Sequence, residues 1–401
     1  MATLTAAPPS RALQPTSIRK LIVVLALIGF PFSACLISGL KQVELPTHET
    51  GLPYRLVDAM PVWVGSRIFL HRQNPYSDEA TREIDIRYYG TTLTPKDIHN
   101  GVNPMRFAYP PQTAIVWAWF AALPWNIASL LMLSLCAVLT AVSVPLWLSI
   151  TDVKLNMQLT IACVLLSWPA MWGIRLEQVS LIVIPLIALA CWFYKRERYA
   201  LSGFLLALCT IKPQLCFLLI PWLTLRSITR QRRGFIFAVC ATLSILSVAS
   251  ELLVPGCFKA WFAAIHYYRQ EVHLHLPFPI LACAVAALAA YALYRKREFG
   301  TGAALVLAVT IVLNPADPWT VYNYLLLVPA VLLIENRFVL VLVAFEYALP
   351  TLLIISCLWR AHAFGGVPGE FTVLPIAIAA ALLYPSLMKD SRSFQLSPAS
   401  S

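Results

Sequence analysis

The sequence predicts an all-α polytopic integral membrane protein with about twelve transmembrane helices and a large first extracytoplasmic loop. Of its 401 residues, 59% are hydrophobic and only 12% are charged, with a mean hydropathy of +0.72. A soluble domain carries about 25% charged residues. Apolar segments of membrane-spanning or near-spanning length recur along the chain, and they lack the period-two alternation of a membrane barrel. Because unsatisfied backbone is costly in a bilayer, these segments are predicted to be helices.

The first part of the chain sets the orientation. Residues 1–18 are rich in Pro, Ala, Ser and Thr and are predicted to form a disordered cytoplasmic tail. A basic pair, Arg19 and Lys20, precedes the apolar run 21–40, which we expect to be an uncleaved first span with a cytoplasmic N-terminus. The polar interval 41–111 is the longest in the chain and is expected to lie outside. The polytopic domain then extends over 19–388, and 389–401 forms a second cytoplasmic tail.

Twelve further apolar segments follow the loop. They lie at roughly 108–124, 127–150, 158–173, 179–194, 200–211, 213–225, 234–254, 277–294, 300–314, 319–334, 337–357 and 371–388. The short basic loops at 195–198, 226–233, 295–297 and 389–392 are expected to be cytoplasmic. If every segment spanned, the basic loop 195–198 would face outward, against the charge rule. One early segment is therefore predicted not to span, and we choose 108–124.

The stretch 200–225 has positive charge at both ends and Lys212-Pro213 in its middle. A single span would place one basic end on the outer side, against the charge rule. We therefore predict two short helices that meet at Lys212, either outside or in mid-membrane.

Charge and motifs exclude several function classes. The formal net charge is +11, but much of the basic excess sits in short loops beside apolar runs, which indicates anionic lipid headgroups and not nucleic acid. The sequence contains no Gly-rich phosphate loop, nucleotide fingerprint or separate soluble domain, so an enzyme of this kind would take its activated substrate from the membrane. Nine of the ten cysteines lie in apolar runs without metal-ligand spacing, so we expect neither a disulfide framework nor a metal site.

Asp58 is the first candidate for chemistry. It follows the first span by some eighteen residues and precedes Trp63, so a loop helix would hold its carboxylate at the membrane surface. A carboxylate that is partly desolvated against aromatic rings is a competent general base for a sugar hydroxyl. The alternative is a solvated loop aspartate or a helix N-cap.

Lys212 is the second candidate, because a lysine within an apolar stretch is costly and implies a partner. That partner would be an anionic lipid phosphate, which lysine binds as a point charge, with Gln214 adding a hydrogen bond. The alternative is a lysine that snorkels from a helix end beside Pro213.

Several aromatic and polar residues are further candidates. Tyr76 and Tyr109 lie in Asn-Pro-Tyr and Tyr-Pro-Pro turns, where they either shape the turn or stack on a sugar face. Gln178 is a polar residue at a helix mouth, where it is either a cap or a ligand. Residues of later outer loops complete the set of candidates: His266, Arg269 and Tyr322.

The order of these motifs resembles the DUF2029 group of membrane glycosyltransferases, glycosyltransferase family 87, of the GT-C superfold. The resemblance covers about residues 21–329. It rests on an outer-loop Asp, Asn74-Pro75-Tyr76, Tyr109-Pro110-Pro111, Gln178-Val179-Ser180 and Lys212-Pro213-Gln214.

The resemblance implies a GT-C-like fold, a sugar donor carried on polyprenyl phosphate, an acceptor that approaches from the extracytoplasmic side, and inversion at the anomeric carbon. Asp58 falls on the family's acidic position and would be the base. Lys212 falls on the Lys-Pro motif and would lie near the donor phosphate, with Gln214 and Arg269. Tyr76, Tyr109, Gln178, His266 and Tyr322 are then assigned to substrate binding.

Two positions depart from the family pattern. Glu177-Gln178 stands where many relatives have Gly-Gln, which raises the question of how the local turn is made. Tyr322-Asn323 stands where many have His after a late Trp, so this member would use Arg269 or His266 instead or act on a different substrate.

We therefore expect an inverting hexosyltransferase of the plasma membrane, a mannosyltransferase, acting on a lipid or glycan acceptor. It would work as a monomer among membrane lipids, without a cofactor, since the polyprenyl-phosphate sugar is a substrate. One alternative is a lipid-linked-sugar transporter or flippase, which should show inverted repeats and broken helices in matched positions; only the break at Lys212 is found. A catalytically inactive subunit would be indicated by an uncharged residue at position 58, which is Asp.

Overall fold

The computed structural model describes residues 57–94, 104–165, 167–271, 298–313 and 318–334. The expected first span, both tails and the apolar segments 277–294, 337–357 and 371–388 lie outside these ranges. Every regular element within them is helical, as the sequence predicts. The α-helices are α1 (Ala59–Leu70), α2 (Asp78–Tyr89), α3 (Gln112–Val116), α4 (Ala118–Ala121), α5 (Trp125–Thr151), α6 (Met157–Leu165), α7 (Trp168–Arg175), α8 (Ser180–Lys195), α9 (Tyr199–Leu208), α10 (Leu219–Arg226), α11 (Arg233–Leu253), α12 (Cys257–Glu271), α13 (Phe299–Leu313) and α14 (Val328–Leu333). Short 3-10 helices occupy Cys209–Ile211, Pro213–Leu215, Arg230–Arg232 and Pro318–Leu327.

Two of the described helices are long and apolar enough to cross a membrane, Trp125–Thr151 and Arg230–Leu253. A third crossing results if α6 and α7, which are bent by 58° relative to each other, form one broken span. Five other described helices are apolar but shorter. The chain is thus helical and suited to a membrane, and the count of about twelve spans stays a prediction.

The apolar segment 108–124 forms no single long helix. It is divided into α3 and α4, which have only 5 and 4 residues. At about 1.5 Å of rise per residue, neither can cross a hydrocarbon core about 30 Å thick. The loop charges required one early segment to be left out of the count of spans, and 108–124 was the segment chosen.

The first loop contains a helical hairpin of α1 and α2. Ser77 begins α2 by accepting a hydrogen bond from the Ala80 amide at 3.2 Å, and Gly90 ends it with a φ of 76°, which is a common pattern for a helix that is capped at both ends. Asp85 on α2 accepts from the Met105 amide at 2.8 Å and so holds the far side of the loop against the hairpin. Desolvation by burial raises the pKa of Asp85, although this amide and Arg106 act against the rise.

The long helix α5 packs against α8, which packs against α9, and α9 crosses α11. The crossing of α9 and α11 is close because it occurs at a glycine: a Cβ on Gly203 would lie 2.3 Å from the Phe235 carbonyl oxygen. Lys195 at the end of α8 binds the end of α5, donating to the carbonyls of Ser149 and Ile150 and to Asp152. A cation there satisfies carbonyls that the helix leaves without intrahelical partners.

The chain breaks at Lys212, as the sequence predicts. Helix α9 ends at Leu208 and α10 begins at Leu219, and two 3-10 turns lie between them on either side of Lys212. Pro213 begins the second turn, because its backbone nitrogen has no hydrogen to donate and so cannot continue the preceding helix. The break lets the Lys212 side chain leave the helical array and turn toward the start of α8.

Candidate active site

The site forms where four segments that are distant in sequence meet. They are the start of α1, the turn between α7 and α8, the break at Lys212, and the 3-10 helix Pro318–Leu327. Their polar side chains make one continuous hydrogen-bonded chain, which runs through Asp58, Gln178, Lys212, Ser180 and Asn323.

Asp58 occupies the position before α1, where an aspartate commonly caps the helix through its side chain. Here the side chain makes no capping hydrogen bond. Its backbone amide donates to the Leu176 carbonyl at 2.8 Å, and its carboxylate accepts from the Gln178 side-chain amide. The tertiary structure therefore directs this carboxylate away from the helix end and into the site.

Desolvation is the largest influence on the Asp58 carboxylate, and it raises the pKa above the usual range of an aspartate. The nearby Lys212 ammonium and the Gln178 amide oppose this rise, but desolvation is stronger. Tyr88 of α2 is near enough to interact with the Asp58 carboxylate. Burial, and after it the Asp58 charge, raise the pKa of the Tyr88 hydroxyl. A raised pKa makes the ionised carboxylate a stronger base than an exposed aspartate.

Lys212 is buried, with 7% of its surface exposed. Its Nζ donates to Gln178 Oε1 at 2.8 Å and to Ser180 Oγ at 2.6 Å, and it lies 5.0 Å from the centre of the Tyr322 ring. These contacts exclude a lysine that reaches freely into solvent from a helix end. Cations over aromatic faces are stabilised by the ring quadrupole, so Tyr322 contributes to holding the ammonium.

Ser180 and Asn323 complete the chain of hydrogen bonds. Ser180 Oγ lies 2.8 Å from Asn323 Oδ1 and donates to it while accepting from Lys212. Both residues are buried. Ser180 belongs to the Gln-Val-Ser motif that the sequence shows. Its contact with the Lys212 ammonium depends on the packing of two helix ends, which the sequence alone does not predict.

The turn that presents Gln178 has an unusual residue before it. Glu177 has a φ of 52°, in the left-handed region where glycine is favoured. Backbone hydrogen bonds from the Glu177 and Gln178 amides to Ile174 and Gly173 close the turn. The Glu177 carboxylate accepts a buried hydrogen bond of 2.5 Å from Ser129 Oγ. Glu177 thus stands where many relatives have glycine and still adopts a glycine-like backbone conformation. Its side chain adds a contact with α5.

Tyr76 and Tyr109 meet in a second cluster. The Tyr76 hydroxyl donates to the Tyr109 carbonyl at 2.7 Å, and both rings lie within 6 Å of Phe107. Trp261 of α12 donates to the Ala108 carbonyl at 3.4 Å and joins this cluster to that helix. The two tyrosines therefore contact each other and Phe107 within the loop, and substrate binding by their rings stays a prediction.

The remaining candidates lie in different surroundings. Gln214 is exposed, whereas Lys212 two residues earlier is buried. His266 is exposed on α12. The backbone of Arg269 lies in the same helix, and its side chain is outside the described part. Of the predicted site residues, the structure brings together Asp58, Gln178, Lys212 and Tyr322.

Comparison with protein families identifies a family to which the chain is similar. The model described as Glycosyltransferase family 87 matches residues 107–315, slightly more than half of the 401 residues. The matched range contains Gln178, Ser180 and Lys212, and it begins after Asp58. No curated protein and no solved structure matches the chain.

Proposed function

Because this chain belongs to glycosyltransferase family 87, we propose that it is an inverting enzyme that moves a sugar from a polyprenyl-phosphate donor to a lipid or glycan acceptor. Family membership makes it a glycosyltransferase, and its apolar helices indicate a membrane protein. The finer assignment is a GT-C hexosyltransferase of the plasma membrane, acting on the extracytoplasmic side and transferring mannose. The observation that supports a base and a phosphate-binding cation in one site is the joining of Asp58 to Lys212 through Gln178.

Asp58 has the properties required of the base. It is the least buried member of the chain, since Gln178, Lys212, Ser180 and Asn323 are all buried, and the acceptor is proposed to approach at this residue. In a single displacement, the acceptor oxygen attacks the anomeric carbon as its proton passes to Asp58. The bond from that carbon to the phosphate oxygen breaks, and the phosphate leaves with the electron pair.

Lys212 has the properties required to stabilise the leaving phosphate. An ammonium carries three N–H donors, and within the described residues two of them are bonded to Gln178 and Ser180. The third is left for a phosphate oxygen. A fixed cation in a low-dielectric site stabilises the charge that develops on the leaving group without reorganising. Gln214 and Arg269 are proposed as further donor-phosphate ligands, and Tyr76, Tyr109, His266 and Tyr322 as substrate-binding residues.

The proposal is tested by sugar transfer in purified protein. Polyprenyl-phosphate mannose and polyprenyl-phosphate arabinofuranose are offered separately with a membrane lipid extract, and wild type is compared with Asp58→Asn. We expect transfer from the mannose donor and a loss of about 100- to 10,000-fold in the variant, which is the usual contribution of a general base. Donor binding should be retained, because the asparagine keeps the shape of the side chain.

Asp85→Asn is the matched control. Asp85 is another carboxylate of the first loop, it is buried, and the asparagine oxygen can still accept from the Met105 amide. Its transfer rate should stay within about two-fold of wild type. Transfer that survives in Asp58→Asn would place the base elsewhere. If wild type transfers neither sugar but moves labelled lipid-linked sugar across liposomes, the protein is a carrier and the proposal is wrong.

A further inference from the structure

The Gln178 side chain connects two groups of opposite charge. Its amide nitrogen donates to the Asp58 carboxylate, and its amide oxygen accepts from the Lys212 ammonium at 2.8 Å. A carboxylate only accepts hydrogen bonds and an ammonium only donates them. A group placed between them must therefore both donate and accept, and the primary amide does so with its two ends.

Asp58 and Lys212 do not contact each other directly. Among the ion pairs of the described residues, none joins these two side chains, although they interact electrostatically. In a desolvated site a carboxylate and an ammonium attract strongly. What separates them in this structure is the amide of Gln178.

The Gln178 backbone has a different task from its side chain. Its amide donates to Gly173, and its carbonyl accepts from the Leu181 amide at 2.9 Å and from the Cys136 thiol at 3.6 Å. These bonds hold the turn between α7 and α8, and a change of side chain leaves their atoms in place. The two tasks can therefore be separated by substitution.

We propose that the Gln178 side chain is a positioning residue: an amide spacer that holds Asp58 and Lys212 in place and prevents them from forming a direct ion pair. The inference rests on the proposed function, in which Asp58 is the base and Lys212 binds the phosphate. A direct pair would weaken both, because a carboxylate next to a cation holds a proton less well and a neutralised ammonium attracts a phosphate less.

Two variants test the spacer. Gln178→Met keeps the side-chain volume and removes both hydrogen bonds, so that Asp58 and Lys212 can pair. Gln178→Glu keeps the shape and adds a second carboxylate beside Asp58. The titratable groups that face Asp58 in the described structure are Lys212 and Tyr88, whereas Glu177 is bonded to Ser129. The expected change in the pKa of Asp58 is therefore worked out against these two neighbours.

The readout is the acid limb of the pH–rate profile, where transfer is lost as Asp58 takes up a proton. In Gln178→Met the limb should move to lower pH by about one unit or more, since a cation favours the ionised form. In Gln178→Glu it should move to higher pH, since two carboxylates disfavour it. If the amide served only as a hydrogen-bond donor to Asp58, its loss in Gln178→Met would leave the limb in place or move it to higher pH, because that hydrogen bond lowers the pKa of Asp58. Either result in Gln178→Met would overturn the inference.

A second measurement is independent of turnover. Infrared difference spectra recorded against pH follow the protonated carboxyl band that is missing in Asp58→Asn. The midpoint of this band should shift down in Gln178→Met and up in Gln178→Glu, even if wild type transfers no sugar. Failure of the proposed function would thus show as absent transfer with these shifts intact, and failure of the spacer as a midpoint that stays or rises in Gln178→Met. If Gln178→Met does not fold, Gln178→Leu, which also removes both hydrogen bonds, takes its place with the same expected downward shift.

Discussion

The backbone and the side chain of Asp58 make different contacts. The residue stands where α1 begins, and its amide is bonded to the turn that carries Gln178, while its carboxylate enters the site instead of capping the helix. Both helix-cap and base readings are open from residue type alone. The contact with a turn 120 residues further along the chain shows that the carboxylate does not cap α1, and its role as the base stays a proposal.

Lys212 allows a prediction about the donor. Lys212→Met removes the buried cation while keeping a long unbranched side chain. We expect sugar transfer to fall by about 100-fold or more, the usual cost of removing one preorganised group that stabilises developing charge. The measurement is the initial rate of transfer from polyprenyl-phosphate mannose, together with donor affinity.

Lys195→Met is the control for this change. Lys195 is also hydrogen-bonded three times, but its partners are the end of α5 and Asp152. Its loss should lower the unfolding temperature and leave the rate per folded molecule nearly unchanged. Equal losses of transfer in the two variants would remove the special role of Lys212.

At the scale of elements, the approach of α7 to the 3-10 helix Pro318–Leu327 depends on Gly173. A Cβ at this position would lie 2.9 Å from Tyr322 Cβ and 2.3 Å from a methyl group of Leu181. We predict that Gly173→Ala costs about 1–3 kcal/mol of stability through overpacking. It should also lower transfer, because it displaces the segment that carries Tyr322 and Asn323. Thermal unfolding in detergent and the transfer rate check this.

The same substitution at Gly234 is the comparison. An added Cβ there meets its nearest atoms at 3.8 Å, which is ordinary contact, and Gly234 lies in the first turn of α11. Gly234→Ala should be neutral or stabilise the protein by up to about 1 kcal/mol, because alanine favours a helix. Equal destabilisation at both positions would mean that general helix effects, and not the contact with Tyr322, are responsible.

The whole molecule has a predicted sidedness that can be tested directly. In a cysteine-free background, Arg82→Cys places a thiol on the exposed face of α2, and Arg230→Cys places one in the exposed basic loop before α11. If the first loop is extracytoplasmic and the loop 226–233 cytoplasmic, a membrane-impermeant maleimide labels the first in intact cells. It labels the second only after permeabilisation. The reverse pattern would contradict the proposed orientation.

The sequence alone determined the class of the molecule. Hydropathy predicts helices because a bilayer leaves the backbone no other partner, and the charge at both ends of 200–225 predicts the break at Lys212 that the structure shows. These are local properties, which depend on the composition of one segment at a time. The motifs with which the sequence resembles glycosyltransferase family 87 are likewise short and local, and the family match confirms that assignment.

Only the tertiary structure decided which polar residues act together. Asp58, Gln178, Lys212 and Asn323 come from four segments, and nothing in their spacing along the chain shows that an amide lies between the carboxylate and the ammonium. Glu177 has a glycine-like φ, and its buried carboxylate finds a partner in Ser129 of α5. The physical reason is the same in both cases: a buried polar group must find a partner, and packing alone determines which partner is within reach.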